Sequence, residues 1–379
     1  MRAGVTIICQ NYGDWDRYEA AERGERVPSS PAIPDRQIFA EEVRHALLAD
    51  ELGFDSVWTI EHHFTPYTMV TNPLQLLTYL AGATSHVDLG TMVIVLPWHN
   101  PVRVAEDIAM LDALLGDRRV LAGVGRGLGR REYAGMGIDQ NTARGRFDEG
   151  IKIIRELLAT GECTFHGEHF DVEQVRLRPQ PGKDISDVLY CAAGTPETMA
   201  VVAELDIKPL IIPTAQLRVA LGGAQNYMRL RHESGLPSVP TKLALWMYCA
   251  ETEQAARDGA ERYMVEYTDS ALRHYELGGE HFDNLKGYSG YSKMAEILRK
   301  DDTGWRRSIV DGHPWGTPDQ VIEQVSTLAR QFGTSEISFV FRYGSMPQPM
   351  AEASMRLFAK EVLPALHELE TEPIELVAG

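Results

Sequence analysis

The sequence predicts a (β/α)8 (TIM) barrel with insertions in its βα loops, residues 1–379 forming a single domain. Three observations carry that expectation. Eight short apolar runs each precede a stretch with apolar residues at helical spacing. No G-x-G-x-x-G follows the first run, and Gly125, Gly127 and Gly129 have the wrong spacing for that fingerprint, which argues against an open doubly wound sheet. The length of 379 residues suits one barrel, since such domains run from about 250 to over 400 residues.

The elements follow in order. Val5 to Cys9 reads as the first strand. Ile38, Phe39, Val43, Leu47, Leu48 and Leu52 then recur at helical spacing, and Gly53 stops that helix. Asp55 to Ile60 and Val87 to Leu96 are the second and third strands. Asn100-Pro101 opens a helix, with Asn as its cap and Pro in its first turn. Arg119 to Val124 is the fourth strand, and Phe147, Ile151, Ile154 and Leu158 mark the next helix face. Asp187 to Ala193, Lys208 to Ile212, Thr241 to Ala250 and Glu336 to Phe341 complete the eight.

Three connections are long: Asn11 to Pro34, Gly161 to Lys183, and Tyr267 to Pro314, which follows the seventh strand and a short helix. Loops of that length are usually functional or disordered. Residues 11–34 and 267–314 are read as insertions on the active-site side. The second contains Gly278, Gly279, Gly287 and Gly290 together with Tyr275, Phe282, Tyr288, Tyr291 and Trp305. Hinge-like glycines beside aromatic rings make it an expected lid over the barrel mouth.

Composition narrows the partners. A net charge of −17 repels phosphate backbones and argues against nucleic acid. No apolar stretch approaches the ~20 residues of a membrane span. The four cysteines, Cys9, Cys163, Cys191 and Cys249, form no C-x-x-C pair, so a zinc or redox site is unsupported and a reducing compartment is expected. The first residues show no apolar signal-peptide core, and the expected location is the cytoplasm.

Several motifs could carry chemistry. Glu61-His62-His63-Phe64 follows the second strand directly, where a barrel presents its active-site groups. Adjacent residues of an extended chain point to opposite sides, so one histidine should face the mouth and the other away. The structural alternative is that both satisfy core hydrogen bonds. Gly125-Arg126-Gly127-Leu128-Gly129 follows the fourth strand, with Arg144 further on. Glycines allow close backbone approach, and arginine forks match phosphate oxygens. Gly194-Thr195-Pro196 builds a helix N-terminus suited to an anion. Thr317-Pro318-Asp319-Gln320 has the same form but reads as a capping box. No set of metal ligands with recognisable spacing stands out.

The stretches LGFDSVWTIEHHF, NPLQLLTYLAGATSHVDLGTMVIVLPWHNPVRVAEDIAMLD and GVGRGLGRREYAGMGIDQNTARGRFDEG, followed by HPWGTPDQVIEQV and MRLFAKEVLPAL, resemble the bacterial luciferase-like flavin monooxygenases in the same order. The resemblance implies reduced FMN and O2 acting through a C4a-(hydro)peroxyflavin on a small organic substrate. It implies His62 as the catalytic acid/base, with Glu61 and His63 beside it. Arg126 and Arg144 are implied at the flavin phosphate, with backbone from Ala193, Gly194 and Thr195, and Glu132 near the cofactor. A cis peptide between Met92 and Val93 beside the flavin ring is also implied. Trp58, Phe64, Met92 and Trp98 near strand ends suggest an apolar substrate. A separate NAD(P)H:flavin reductase is expected, as is a homodimer pairing through the helix of Leu74, Leu77, Leu80 and Ala81. Val124 stands where light-emitting members carry a reactive cysteine, and 11–34 exceeds what luciferases have, so light emission is not expected. The alternatives are an F420-dependent hydride-transferring oxidoreductase and a non-catalytic flavin-binding protein.

Overall fold

The computed structural model describes residues 1–181, 185–192, 196–213, 217–285 and 288–374. Eight parallel strands close into a barrel in chain order: β1 (Arg2–Ile7), β2 (Ser56–Thr59), β3 (Asp88–Val95), β4 (Val120–Gly125), β5 (Leu189–Cys191), β6 (Lys208–Ile211), β7 (Thr241–Trp246) and β8 (Thr334–Val340). β8 returns to β1, with Arg2 opposite Glu336 and Thr6 opposite Val340. The expected fold class and strand count are therefore borne out.

The helices lie around this sheet. They are α1 (Trp15–Glu22), α2 (Asp35–Leu52), α3 (Pro73–Ala83), α4 (Pro101–Leu115), α5 (Arg130–Gly135), α6 (Ala143–Thr160), α7 (Pro196–Glu204), α8 (Leu217–Glu233), α9 (Glu253–Tyr275), α10 (Ser289–Lys300), α11 (Asp302–Gly312), α12 (Pro318–Phe332), α13 (Gln348–Glu361) and α14 (Leu363–His367). Their ends follow local chemistry. Gly53 closes α2 at φ 82°, a left-handed position that suits glycine. The Asn100 side chain accepts from the N–H groups of Val102 and Arg103 at the start of α4. Thr317 and Gln320 form the expected capping box of α12.

Several expectations change. β1 starts earlier than read and ends at Ile7, because Cys9 sits at φ 47° and leaves the extended region. β7 ends at Trp246; Tyr248 and Cys249 pair instead with Trp315 and Gly316 in a small separate sheet. Residues 161–183, read as one of the three long connections, contain an antiparallel hairpin of Glu162–His166 and Asp171–Arg176. Only one face of it meets the core, so its apolar pattern is weak. The helix after β7 is not short: α9 has 23 residues and runs through Tyr275. The rest of 267–314 is largely α10 and α11, packed around Leu277, Phe282, Tyr288 and Leu298 as a small core. Gly287 of the expected hinge lies outside the described residues. Leu74, Leu77, Leu80 and Ala81 of α3 are buried within this one chain, so they are not free to pair with a second copy. Tyr79 is the exposed large residue of that helix. No described helix is long and apolar enough to cross a membrane. All four cysteines are buried and unpaired.

The barrel interior is divided along its axis. Trp58, Met92, Leu121, Tyr190, Leu210 and Trp246 belong to an apolar cluster inside the sheet. Beneath it, towards the N-terminal ends of the strands, is a buried polar group. The Glu336 carboxylate pairs with Lys242 and accepts from Ser56 Oγ at 2.5 Å, and Trp58 Nε1 donates to Ser56 Oγ at 2.8 Å. The Lys242 ammonium lies 4.9 Å from the Tyr190 ring centroid. Burial raises the Glu336 pKa, but the neighbouring Lys242 more than offsets this and the net shift is downward. Burial pushes Lys242 down, against the attraction of Glu336.

Replacing Lys242 with Ala should leave Glu336 buried with the neutral donors Ser56 and Trp58 and with the Arg2 guanidinium at 3.6 Å. Breaking a buried pair costs about 3–5 kcal/mol, and the lower end is expected because Arg2 remains. Urea unfolding of Lys242→Ala and of Lys242→Met/Glu336→Leu checks this; the double variant should recover most of the loss.

Candidate active site

The C-terminal ends of β2, β4, β5 and β7 carry the candidate site. Glu61, His62 and His63 follow β2 and diverge as an extended backbone requires. His62 Nδ1 lies 3.0 Å from Glu132 Oε1, and its Nε2 lies 3.1 Å from Tyr275 Oη. Around it are the rings of Tyr67, His274 and Tyr275, with centroids at 5.0, 4.8 and 5.5 Å. His63 turns the other way, with Nε2 at 3.3 Å from Glu61 Oε1 and its ring 5.2 Å from Trp98. The Glu61 carboxylate accepts from Val95 N at 2.7 Å and meets His99 Nε2 at 2.6 Å. It is thus a clamp between the ends of β2 and β3. Burial raises the Glu61 pKa, but hydrogen bonds from His63 and His99 outweigh it and hold the group low. His99 is lowered by burial, yet Glu61 reverses this and the net shift is upward.

Glu132 lies in α5, a short helix after the glycine-rich turn. It has no exposed side-chain surface. Its Oε1 accepts the His63 backbone N–H at 2.9 Å besides facing His62, and its Oε2 faces His274 Nε2 at 3.4 Å. Burial opposes its charge, but the imidazoles of His62 and His274 outweigh that, and its pKa falls far below the ordinary carboxylate range. Expected beside the cofactor, Glu132 makes its described contacts with these histidines and the His63 backbone. His274 is itself pushed down, first by burial, so it is neutral near pH 7. Its Nδ1 lies 2.7 Å from Thr65 Oγ1. His62, Glu132 and His274 bring possible ligand atoms within 4.8 Å of one another. Within that group His62 Nδ1 and Glu132 Oε1 are hydrogen-bonded, while His274 Nε2 and Glu132 Oε2 face each other without one.

Met92 and Val93 stand near the C-terminal end of β3, and the peptide between them is cis. The pairing of β3 with β4 shifts there, from Thr91–Ala122 to Ile94–Val124. Gly125 is opposite: a Cβ on it would come within 2.6 Å of Val93 Cγ2, so only glycine fits. Arg126 follows, almost fully buried, its guanidinium 4.1 Å from the Tyr288 ring centroid. Gly127 has φ 75° and its carbonyl accepts from Tyr288 Oη at 3.1 Å. The insertion thus rests on the glycine-rich turn. Arg144, in the first turn of α6, binds Asp148 Oδ2 at 2.6 Å and donates to Thr198 Oγ1 of α7 at 3.3 Å. Ala193, Gly194 and Thr195 lie outside the described residues, between β5 and α7. The thiol of Cys191 at the end of β5 is raised by burial and then by Asp148, against the pull of Arg144 and Arg126, which places both arginines near that strand end.

Two apolar expectations do not hold. Trp58 points its indole N–H toward Ser56, at the opposite end of the barrel interior. Phe64 adopts φ 68°, is 52% exposed and packs on Gly135 of α5, so it does not line a buried apolar surface. Sequence reasoning missed Thr65, Tyr67, His99, Thr198 and His274. A signal existed for His274: it shares the buried face of α9 with Ala260, Met264 and Ala271, and a histidine on an apolar stripe asks for a partner.

A profile of the luciferase-like monooxygenases matches residues 21–336. This chain belongs to the luciferase-like monooxygenase family. It is 25% identical over 344 residues to the alkanal monooxygenase alpha chain of Photorhabdus luminescens, covering 89% of this chain and 94% of that one. Its fold is similar to that of the oxygenating constituent of 3,6-diketocamphane monooxygenase from Pseudomonas putida, solved with FMN, with a TM-score of 0.68, 19% identity, and coverage of 96% and 98%. It is also similar to the coenzyme F420-dependent tetrahydromethanopterin reductase of Methanopyrus kandleri, with a TM-score of 0.60, 18% identity, and coverage of 86% and 95%.

Proposed function

We propose that this monooxygenase uses reduced FMN and O2 to oxygenate a small, largely apolar organic molecule. The observation that carries the reading is His62, held at the C-terminal end of β2 by the buried Glu132, together with Arg126 and Arg144 near the C-terminal end of β5. Arg126, Arg144 and the backbone of Ala193, Gly194 and Thr195 would hold the flavin phosphate, with Thr198 steering Arg144. Met92 and Val93 would lie beside the ring. Buried polar atoms support the fit: Gln10 Nε2 and Trp246 Nε1, on segments that end at the mouth, have no hydrogen-bond partner and could meet a heteroaromatic ring.

Reduced FMN supplies the two electrons that divide O2 between product and water. The chain's own work is to bind, exclude water and manage a proton. His62 holds or moves that proton at Nε2. Glu61 and His63 fix the loop that carries it. Helices α10 and α11, seated on the turn at Gly127, would cover the flavin as a lid. A separate NAD(P)H:flavin reductase would deliver FMNH2, in the cytoplasm. F420-dependent hydride transfer is the alternative, because the reductase from Methanopyrus shares the fold. Substrate-dependent oxygen uptake with FMN and a reductase separates the two, since hydride transfer consumes no oxygen.

His62→Ala should bind FMN as the parent does, lose most product formation and release hydrogen peroxide in its place. Oxygen uptake, product and peroxide are measured together; normal product yield would make His62 structural. Arg144→Ala should weaken FMN by about tenfold to a hundredfold, the loss of one charge-assisted contact. Fluorescence titration checks it, and unchanged affinity would move the phosphate elsewhere. The assembly should be a homodimer, with light scattering as the measure; a stable monomer at micromolar concentration would rule it out.

A further inference from the structure

The hydrogen bonds around Glu132 leave one arrangement of protons. Ionised Glu132 can only accept. Its two oxygens face His62 Nδ1 and His274 Nε2. Glu132 Oε2 and His274 Nε2 are both buried without a hydrogen-bond partner and face each other at 3.4 Å, so the donor that Oε2 needs is supplied if His274 carries its proton on Nε2. That calls for a proton on His62 Nδ1 and one on His274 Nε2. A neutral imidazole carries a single N–H, so His62 Nε2 and His274 Nδ1 are then lone pairs, and each must meet a donor. His62 Nε2 meets Tyr275 Oη at 3.1 Å. His274 Nδ1 meets Thr65 Oγ1 at 2.7 Å. Thr65 Oγ1 also accepts from Tyr67 N at 3.4 Å, which leaves its hydrogen free to point at His274. With both rings neutral, every group faces one of opposite polarity.

We infer that Thr65, His274 and Glu132 act as positioning residues that hold His62 in its Nδ1–H tautomer, so that Nε2, against the Tyr275 hydroxyl, is the atom that takes and returns protons. This rests on the reading of His62 as the acid/base group. Glu132 also supports the imidazolium once Nε2 is protonated. His274 fixes the second Glu132 oxygen, and Thr65 fixes the tautomer of His274. Without the Thr65 hydroxyl, the His274 proton can move to Nδ1, and Glu132 Oε2 then faces a lone pair. The groups facing His62 are Glu132 from α5, His274 and Tyr275 from α9, and Tyr67 from the β2–α3 connection. Arg131 of α5 adds its charge near His274.

Long-range 1H–15N spectroscopy of histidine-labelled full-length protein without cofactor reads the tautomers directly. His62→Gln and His274→Gln assign the signals. The parent should show His62 with Nδ1–H and His274 with Nε2–H. Thr65→Ser should keep both patterns. Thr65→Val should move His274 toward Nδ1–H, because no hydroxyl then donates to that nitrogen. Its kcat should fall about tenfold, a partial loss beside the roughly 10²–10⁴-fold of full acid–base assistance, with KM unchanged, and the acid limb of its pH profile should shift to lower pH because Glu132 supports the imidazolium less well. Finding His62 with Nε2–H in the parent overturns the proposal, and needs no variant to fold. So does a Thr65→Val protein whose tautomers and pH profile match the parent. Either failure leaves the role of His62 itself to be judged by His62→Ala, which reads oxygenation and not tautomer.

Discussion

A carboxylate with no exposed surface is tolerated only where positive charge or hydrogen-bond donors replace its lost water. Glu132 meets that requirement with a backbone N–H and two imidazoles drawn from the β2 end and from α9. The arrangement on the β2 side of the mouth follows from it. His62 is oriented because its Nδ1 is needed by the carboxylate. His63 is turned away because its backbone N–H is needed there too. The start of the insertion is tied to the barrel because His274, near the end of α9, completes the set. One buried charge thereby joins β2, the glycine-rich turn and the insertion, which are far apart in the chain.

The opposite end of the barrel solves a similar problem with different means. Glu336 is compensated by the full charge of Lys242, with Ser56 and Arg2 adding to it. That pair serves the closure of β8 on β1 and β7. At the mouth, compensation comes from a backbone N–H and two imidazoles instead of a lysine. The same cost of burial is met by a full charge at one end and by ring and backbone N–H groups at the other. Glu61 stands between the two cases: His99, with its raised pKa, supplies part of a charge and locks the ends of β2 and β3.

Much of the architecture was legible because it is local. Each strand and its following helix announce themselves by spacing, and Gly53, Asn100 and Thr317 mark their ends. The E-H-H-F run and the glycine-rich turn were legible as strand-end motifs. The partners of those motifs were not. Thr65 and His274 touch across 209 residues of sequence, and no periodicity reports a contact made only when the barrel closes. The same reason hid Thr198 beside Arg144. The hairpin of residues 162–176 was missed because its outward residues are polar and one short face carries its burial. Trp58 and Phe64 were misplaced for opposite reasons. Closeness to a strand end does not say which end of the interior an indole will reach, and a left-handed backbone at Phe64 reverses the direction that alternation predicts.

The small sheet of Tyr248–Cys249 with Trp315–Gly316 has a consequence for how such a barrel can change. It stitches together the two points where residues 253–312 leave and rejoin the framework. From the framework's side, that stretch is a cassette with adjacent attachment points. Its length and contents can vary without disturbing strand register, because the strain of any new length ends at the stitch. A change of length there leaves the hydrogen-bonded residues at the strand ends in place. The exception is the single turn of α9 carrying His274 and Tyr275, which any replacement would have to supply again.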